Sequence, residues 1–133
     1  MGFLDKFSGQ LLSALRIVSA LLFMAHGTAK LFGFPATEMF AQPPEPMTLM
    51  WFAGVLETVG GALLVLGLFT RPAAFVLSGM MAVAYWMAHA PQSLYPIQNG
   101  GDAAILFCFI FLYIAAAGGG PLSLDATLFS KKK

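Results

Sequence analysis

Four ionisable residues stand inside otherwise apolar stretches of this 133-residue chain: Arg16, His26 and Lys30 in one stretch, Glu57 in the next. At 100° per residue, Arg16, Phe23, His26 and Lys30 fall within an arc of roughly 80° on a helix. A charged side chain costs roughly 2.5–3.5 kcal/mol near the centre of a bilayer, so such groups face a bundle interior or a wet cavity, or reach for an interface. An acid with a histidine in reach is the pairing that proton transfer uses. Glu57 is the candidate to take up or deliver a proton, and His26 the candidate to relay it. Arg16, Lys30, Asn99 and Asp102 are the candidate substrate-binding groups, with Arg16 also tuning Glu57.

Each residue has a plainer reading beside this one. Arg16 and Glu57 can form a structural ion pair that fixes helix register. His26 can be a helix-to-helix hydrogen-bonding residue, and Lys30 an interfacial lysine that snorkels. Asp102 opens a helix, where the dipole and free N–H groups favour an acid. His89, before Pro91, reads as interfacial. Among the residue types alone, site and seam both remain open.

Positioning these groups requires membrane helices. The chain is 59% hydrophobic and 10% charged, against roughly 25% charged in a soluble domain. A helix crosses about 30 Å of hydrocarbon in about 20 residues. Four segments qualify: about 10–31, 48–69, 72–90 and 101–117. The expectation is an all-α membrane protein, a four-helix antiparallel bundle forming one domain over 1–133. Lys6 before an apolar run resembles a signal peptide, but Arg16 interrupts the run and no small-x-small site follows, so the first span is expected to be retained. "TRP" (70–72) makes a tight hairpin between spans two and three, with Thr70 as its expected cap and Pro72 in the first turn. The two other connections, 32–47 with four prolines and 90–101, are long.

Lys6, Arg71 and Lys131–Lys133 fall on one side of this arrangement, while Glu38 and Glu45 fall on the other. The positive-inside rule then puts both termini in the cytoplasm and the long loops outside the inner membrane. Counting at about 1.5 Å per residue, Lys30 sits at the outer edge, His26 about 6–8 Å down, Glu57 about 13 Å and Arg16 about 22 Å. His89, Asn99 and Asp102 gather near the outer edge. Arg16–Glu57–His26 is the reachable relay, under an outward-opening polar pocket with apolar walls (Phe23, Met24, Met50, Met81, Met87).

Several chemistries lack their residues. Net charge is +1, and nothing points to nucleic acid. Cys108 is the single cysteine, so there is no internal disulfide or CxxC pair. A haem between His26 and His89 is disfavoured by their different depths. No zinc-ligand cluster, phosphate loop, dinucleotide fingerprint or nucleophile triad is present, and no metal is expected.

The order and spacing of four motifs carry a resemblance: "R-x9-H-G-x2-K-L-F-G" from Arg16, "E-x2-G-G-x5-G-L-x-T-R" from Glu57, "N-G-G" at 99–101 and "G-G-G-P-L-S-L-D" at 118–125. Together they resemble the DoxX family of small four-helix bacterial membrane proteins, over nearly the whole chain. The resemblance implies a likeness to DoxD, the membrane partner in a thiosulfate:quinone oxidoreductase, without that system's larger partner domain. It highlights Arg16, Gly27, Lys30, Glu57, Gly60, Gly61, Asn99 and Gly100. The function expected is a component or partner of a quinone-linked membrane oxidoreductase system. A quinone is the cofactor class it admits, and the partners are the lipid bilayer, other membrane subunits or a second copy. Two rival expectations stand beside it: a non-catalytic accessory or assembly subunit, and a small-molecule carrier.

Overall fold

The computed structural model describes residues 2–129. Among these, every regular element is helical: α1 (Gly2–Asp5), α2 (Ser8–Phe32), α3 (Leu49–Leu66), α4 (Thr70–Ala84), α5 (Pro96–Asn99), α6 (Asp102–Ala117) and α7 (Leu124–Leu128). Lys131–Lys133, used above for orientation, lie outside the described residues. α2, α3 and the helical run Thr70–Gln92 are long and apolar enough to cross a membrane, and α6 is a shorter apolar helix. The four stand up-down-up-down. One end carries the long loops 33–48 and 93–101. The other carries the α3–α4 hairpin and both ends of the described residues.

Helix ends follow local chemistry. Thr48 caps α3, its side chain accepting from the Trp51 amide at 3.3 Å. Gly33 and Gly67 close α2 and α3 in the left-handed conformation that glycine adopts without a Cβ penalty. The hairpin differs from expectation. The Thr70 hydroxyl is buried without a partner, and the cap comes from far along the chain. The Asp125 carboxylate accepts from the amides of Phe69 and Thr70, both at 2.8 Å. The third span also differs: beyond Ala84 it widens into a π-helical turn, Tyr85–His89, then tightens to a 3₁₀ turn, Ala90–Gln92. Pro91 has no N–H and its ring crowds the preceding turn, so an α-helix cannot run through it unchanged.

The core is where the helices converge: Ala20, Phe23, Leu64, Ala74, Leu77, Met81, Ala104, Phe111 and Ile114. Phe23 meets Phe111 and Phe107 edge-on, at 5.0 and 5.4 Å between centroids. The bundle is two tight pairs, α2 with α3 and α4 with α6, laid side by side. The outward sides of the spans are covered in exposed Leu, Val and Phe, as lipid-facing surfaces are.

Candidate functional site

The α2–α3 pair is close because glycines remove side chains from the seam. A Cβ on Gly27 would stand 2.7 Å from the Glu57 Cβ and 2.6 Å from the Thr58 hydroxyl, and one on Gly61 would stand 2.7 Å from the Met24 Cβ. These contacts fix an antiparallel register with Gly27 opposite Glu57. Cα–Cβ bonds tilt toward a helix's N-terminus. Lys30, near the end of α2, therefore points back into the bundle, and Glu57 points along α3 toward the loop end. They converge. Lys30 Nζ donates to Glu57 Oε1 at 2.6 Å. Glu57 is only 3% exposed, and its Oε2 is buried with no hydrogen-bond partner. The Phe40 ring, from the long loop, lies over the ammonium at 5.5 Å.

His26 sits one turn deeper on α2 and is exposed. Its Nδ1 is 2.8 Å from the Leu22 carbonyl. A carbonyl only accepts, so Nδ1 carries the proton and the neutral ring keeps its lone pair on Nε2. The ring meets Phe107 edge-on at 6.1 Å. Lys30 and Glu57 thus form a pair, an ammonium and a half-satisfied carboxylate, with the imidazole acceptor of His26 one turn along α2 from Lys30. That set can hold a polar head group and exchange a proton with it.

Arg16 is not part of this cluster, and the expected Arg16–Glu57–His26 relay is corrected. The α2–α3 register puts Arg16 level with the hairpin, far along the helix from Glu57. Its guanidinium, 1% exposed, donates to the carbonyls of Gly119 and, at 2.8 Å, Leu122. Ser13 accepts from the Leu122 amide and donates to the same Gly119 carbonyl, each at 3.1 Å. Gly120, at φ +80°, lies so close to Ser13 that a Cβ would collide with its hydroxyl. Arg71 donates to the last carbonyls of α6, at Ala115, Ala116 and Ala117. The run "GGGPLSLD" is therefore more than a helix stop. It folds back across the bundle end and is pinned by Arg16, Ser13 and Asp125. Burial pushes the Asp125 carboxyl up, but hydrogen bonds from Thr70 and Phe69 and the Arg16 charge outweigh it and hold the group below the usual carboxylate range.

The remaining predicted residues lie apart. Asn99 is buried, its side chain donating to the Ser93 carbonyl (3.0 Å) and Tyr85 hydroxyl (3.2 Å) and accepting from the Gly101 amide (2.8 Å). It braces the loop leading into α6. His89 is bound to the same loop, its Nδ1 2.9 Å from the Asn99 carbonyl. Asp102 is exposed in the first turn of α6 and forms no ion pair among the described residues. Two clefts are found elsewhere. One of about 580 Å³ lies at the hairpin end beside Arg71 and Asp125. The other, an apolar groove of about 320 Å³, runs between α3 and α4.

Sequence reasoning missed the direct Lys30–Glu57 contact, though the Cβ tilt and the Gly27 register contain it. It also missed Phe40, whose proline-rich loop has no periodicity to read.

A family model described as DoxX matches residues 11–90. The chain is 42% identical to an "Uncharacterized protein" of Haemophilus influenzae, over 98% of this chain and 100% of that one. It is 30% identical to "Inner membrane protein YphA" of Escherichia coli, over 86% of this chain and 88% of that one. It is 26% identical to "Putative oxidoreductase CatD" of Bacillus subtilis, over 90% and 87% respectively. No solved structure matches.

Proposed function

Because this chain belongs to the DoxX family of membrane proteins, we propose that it is a component or partner of a quinone-linked membrane oxidoreductase system, with its head-group site at Lys30, Glu57 and His26. The observation that carries this reading is the buried carboxylate of Glu57, held by Lys30 through one oxygen and left unpartnered at the other. Burying a charge in a membrane protein is costly unless function or packing requires it. Packing needs only the bonded oxygen. In this reading Lys30 orients a polar head group, and Glu57 exchanges the proton that accompanies electron transfer between a quinone and a partner oxidoreductase. The relative named "Putative oxidoreductase CatD" and the resemblance to DoxD support the oxidoreductase assignment.

The orientation belongs to the same proposal: hairpin end and termini cytoplasmic, long loops outside. Lys30, the one lysine or arginine near the loop end among the described residues, is turned into the bundle and neutralised by Glu57, so it does not offset the bias set by Lys6 and Arg71.

A second reading, a non-catalytic accessory subunit, is favoured by the enclosure of Glu57 and by the position of both clefts elsewhere. The test is binding of a short-chain alkyl hydroquinone, held anaerobically, to the purified full chain and to Glu57→Gln. The proposal expects the wild type to bind and the variant to bind at least about tenfold more weakly, the size of one charge-assisted hydrogen bond. Equal affinity in the two proteins would leave the accessory reading.

A further inference from the structure

We propose that the Glu57 site selects its ligand by a donated hydroxyl, taking the phenol or hydroquinone form of a membrane-dissolved molecule in preference to the quinone, and that the ligand reaches it laterally between α2 and α6, past His26. This inference rests on the reading of Glu57 as a head-group site.

The first argument is an inventory of free valences. Glu57 Oε2 is an acceptor, buried and unpartnered. His26 Nε2 is a second acceptor, because Nδ1–H is bound to the Leu22 carbonyl. Among the described residues the donor on this carboxylate is the Lys30 ammonium, with one N–H on Glu57 Oε1 and the Phe40 ring over it. A hydroxyl matches this set, since it can accept from Lys30 and donate to Glu57 at once. A quinone carbonyl only accepts. Against Oε2 it would set one oxygen lone pair facing another and leave the carboxylate unsatisfied.

The second argument is the position of His26. An ionisable ring exposed on a membrane-spanning helix is costly if it faces lipid alone. The exposed residues of α2 from Leu11 to Leu22, namely Leu11, Ala14, Leu15, Val18, Leu21 and Leu22, are all aliphatic. His26 breaks that pattern on the side turned toward α6. There the two helices touch through Phe23, Phe107 and Phe111, far less closely than α2 touches α3. The His26 ring against Phe107 therefore marks an edge of the loosest seam in the bundle. A flat aromatic head group fits between such rings, and its tail can stay in the bilayer.

The experiment compares a short-chain alkyl benzoquinone with its hydroquinone, held anaerobically, on the full-length protein in lipid nanodiscs. The expected result is binding of both forms, with the hydroquinone tighter by on the order of tenfold. Glu57→Gln, which brings an amide donor to the site, removes the preference. His26→Phe keeps a ring beside Phe107 and lies on the exposed surface, so it decides the matter should Glu57→Gln fail to fold. It weakens the hydroquinone by about threefold and leaves the quinone unchanged. Equal affinities, or a tighter quinone, would overturn the selectivity while the head-group site stands. Binding of neither form would overturn both.

Discussion

Helix α2 turns two cations into the bundle, one buried and one half-buried, and they are satisfied in opposite ways. Arg16 meets backbone carbonyls of the chain's own C-terminal segment, Gly119 and Leu122, with Ser13 closing the same knot. Lys30 meets a carboxylate on the neighbouring helix, and that carboxylate keeps an oxygen free. Carbonyls have no protonation state to change and no counter-charge to give up. The Arg16 end is thus a fastening, suited to a planar guanidinium with several donors. The Lys30 end holds two groups that can each gain or lose a proton, beneath an aromatic ring from an exposed loop. The same helix supplies a fixed end and an end where chemistry can happen.

The widest separation between the two ends should come from removing each cation. Arg16→Leu strands the Leu122 carbonyl, leaves Ser13 alone on the Gly119 carbonyl and loosens the C-terminal segment, for an expected loss of about 4 kcal/mol from two charge-assisted hydrogen bonds at about 2 kcal/mol each. Thermal unfolding in detergent reads this directly, and Arg16→Lys, a point charge, should not restore it. Lys30→Met leaves Glu57 buried without its partner and should cost about 3 kcal/mol. Lys30→Met combined with Glu57→Leu should recover most of that loss, because replacing both members of a buried pair is far milder than breaking it. Were the double variant as unstable as the sum of its parts, the pair would be a fastening too, and the contrast would fail.

Gly27→Ala comes next. The new Cβ would stand 2.7 Å from both the Glu57 Cβ and the Thr58 backbone nitrogen. Overpacking of this kind costs about 2 kcal/mol, and by parting α2 from α3 it should weaken quinone binding as well. Ala at Gly79, where nothing lies within 4 Å, is the matching control with no expected effect on binding.

The smallest effect belongs to Asp125. Its capping of α4 is worth about 1 kcal/mol. Because its folded pKa is depressed, that contribution is present above the ordinary carboxylate value near 3.8 and is lost as pH falls through the folded value. Stability curves of wild type and Asp125→Asn taken from neutral to acid pH should converge at the acid end. Parallel curves would deny the cap its charge.

The sequence carried the fold further than the site. Span lengths, the glycine and proline at the hairpin and the glycine-rich loops are local signals, and the four-helix bundle follows from them. The polar arc on α2 also follows from 100° per residue, and Lys30 and Glu57 do meet. The choice of partner did not follow. Depth alone favours Arg16 as the partner of Glu57, and only the register set by Gly27 and Gly61 gives the carboxylate to Lys30. Arg16's true partners are carbonyls, which any residue possesses and no motif announces. Asn99 and Asp102 lie near the right end by counting, yet Asn99 is consumed by its own loop and Asp102 faces outward.

The most direct test of the contrast is what remains bound after gentle extraction. Wild type, Glu57→Gln and Arg16→Lys would be purified in mild detergent, and their bound small molecules identified by mass spectrometry. The account predicts a lipid-soluble quinone or hydroquinone with the wild type and with whatever Arg16→Lys protein is folded, and its loss from Glu57→Gln. The same ligand in all three proteins, or loss from Arg16→Lys alone, would contradict it.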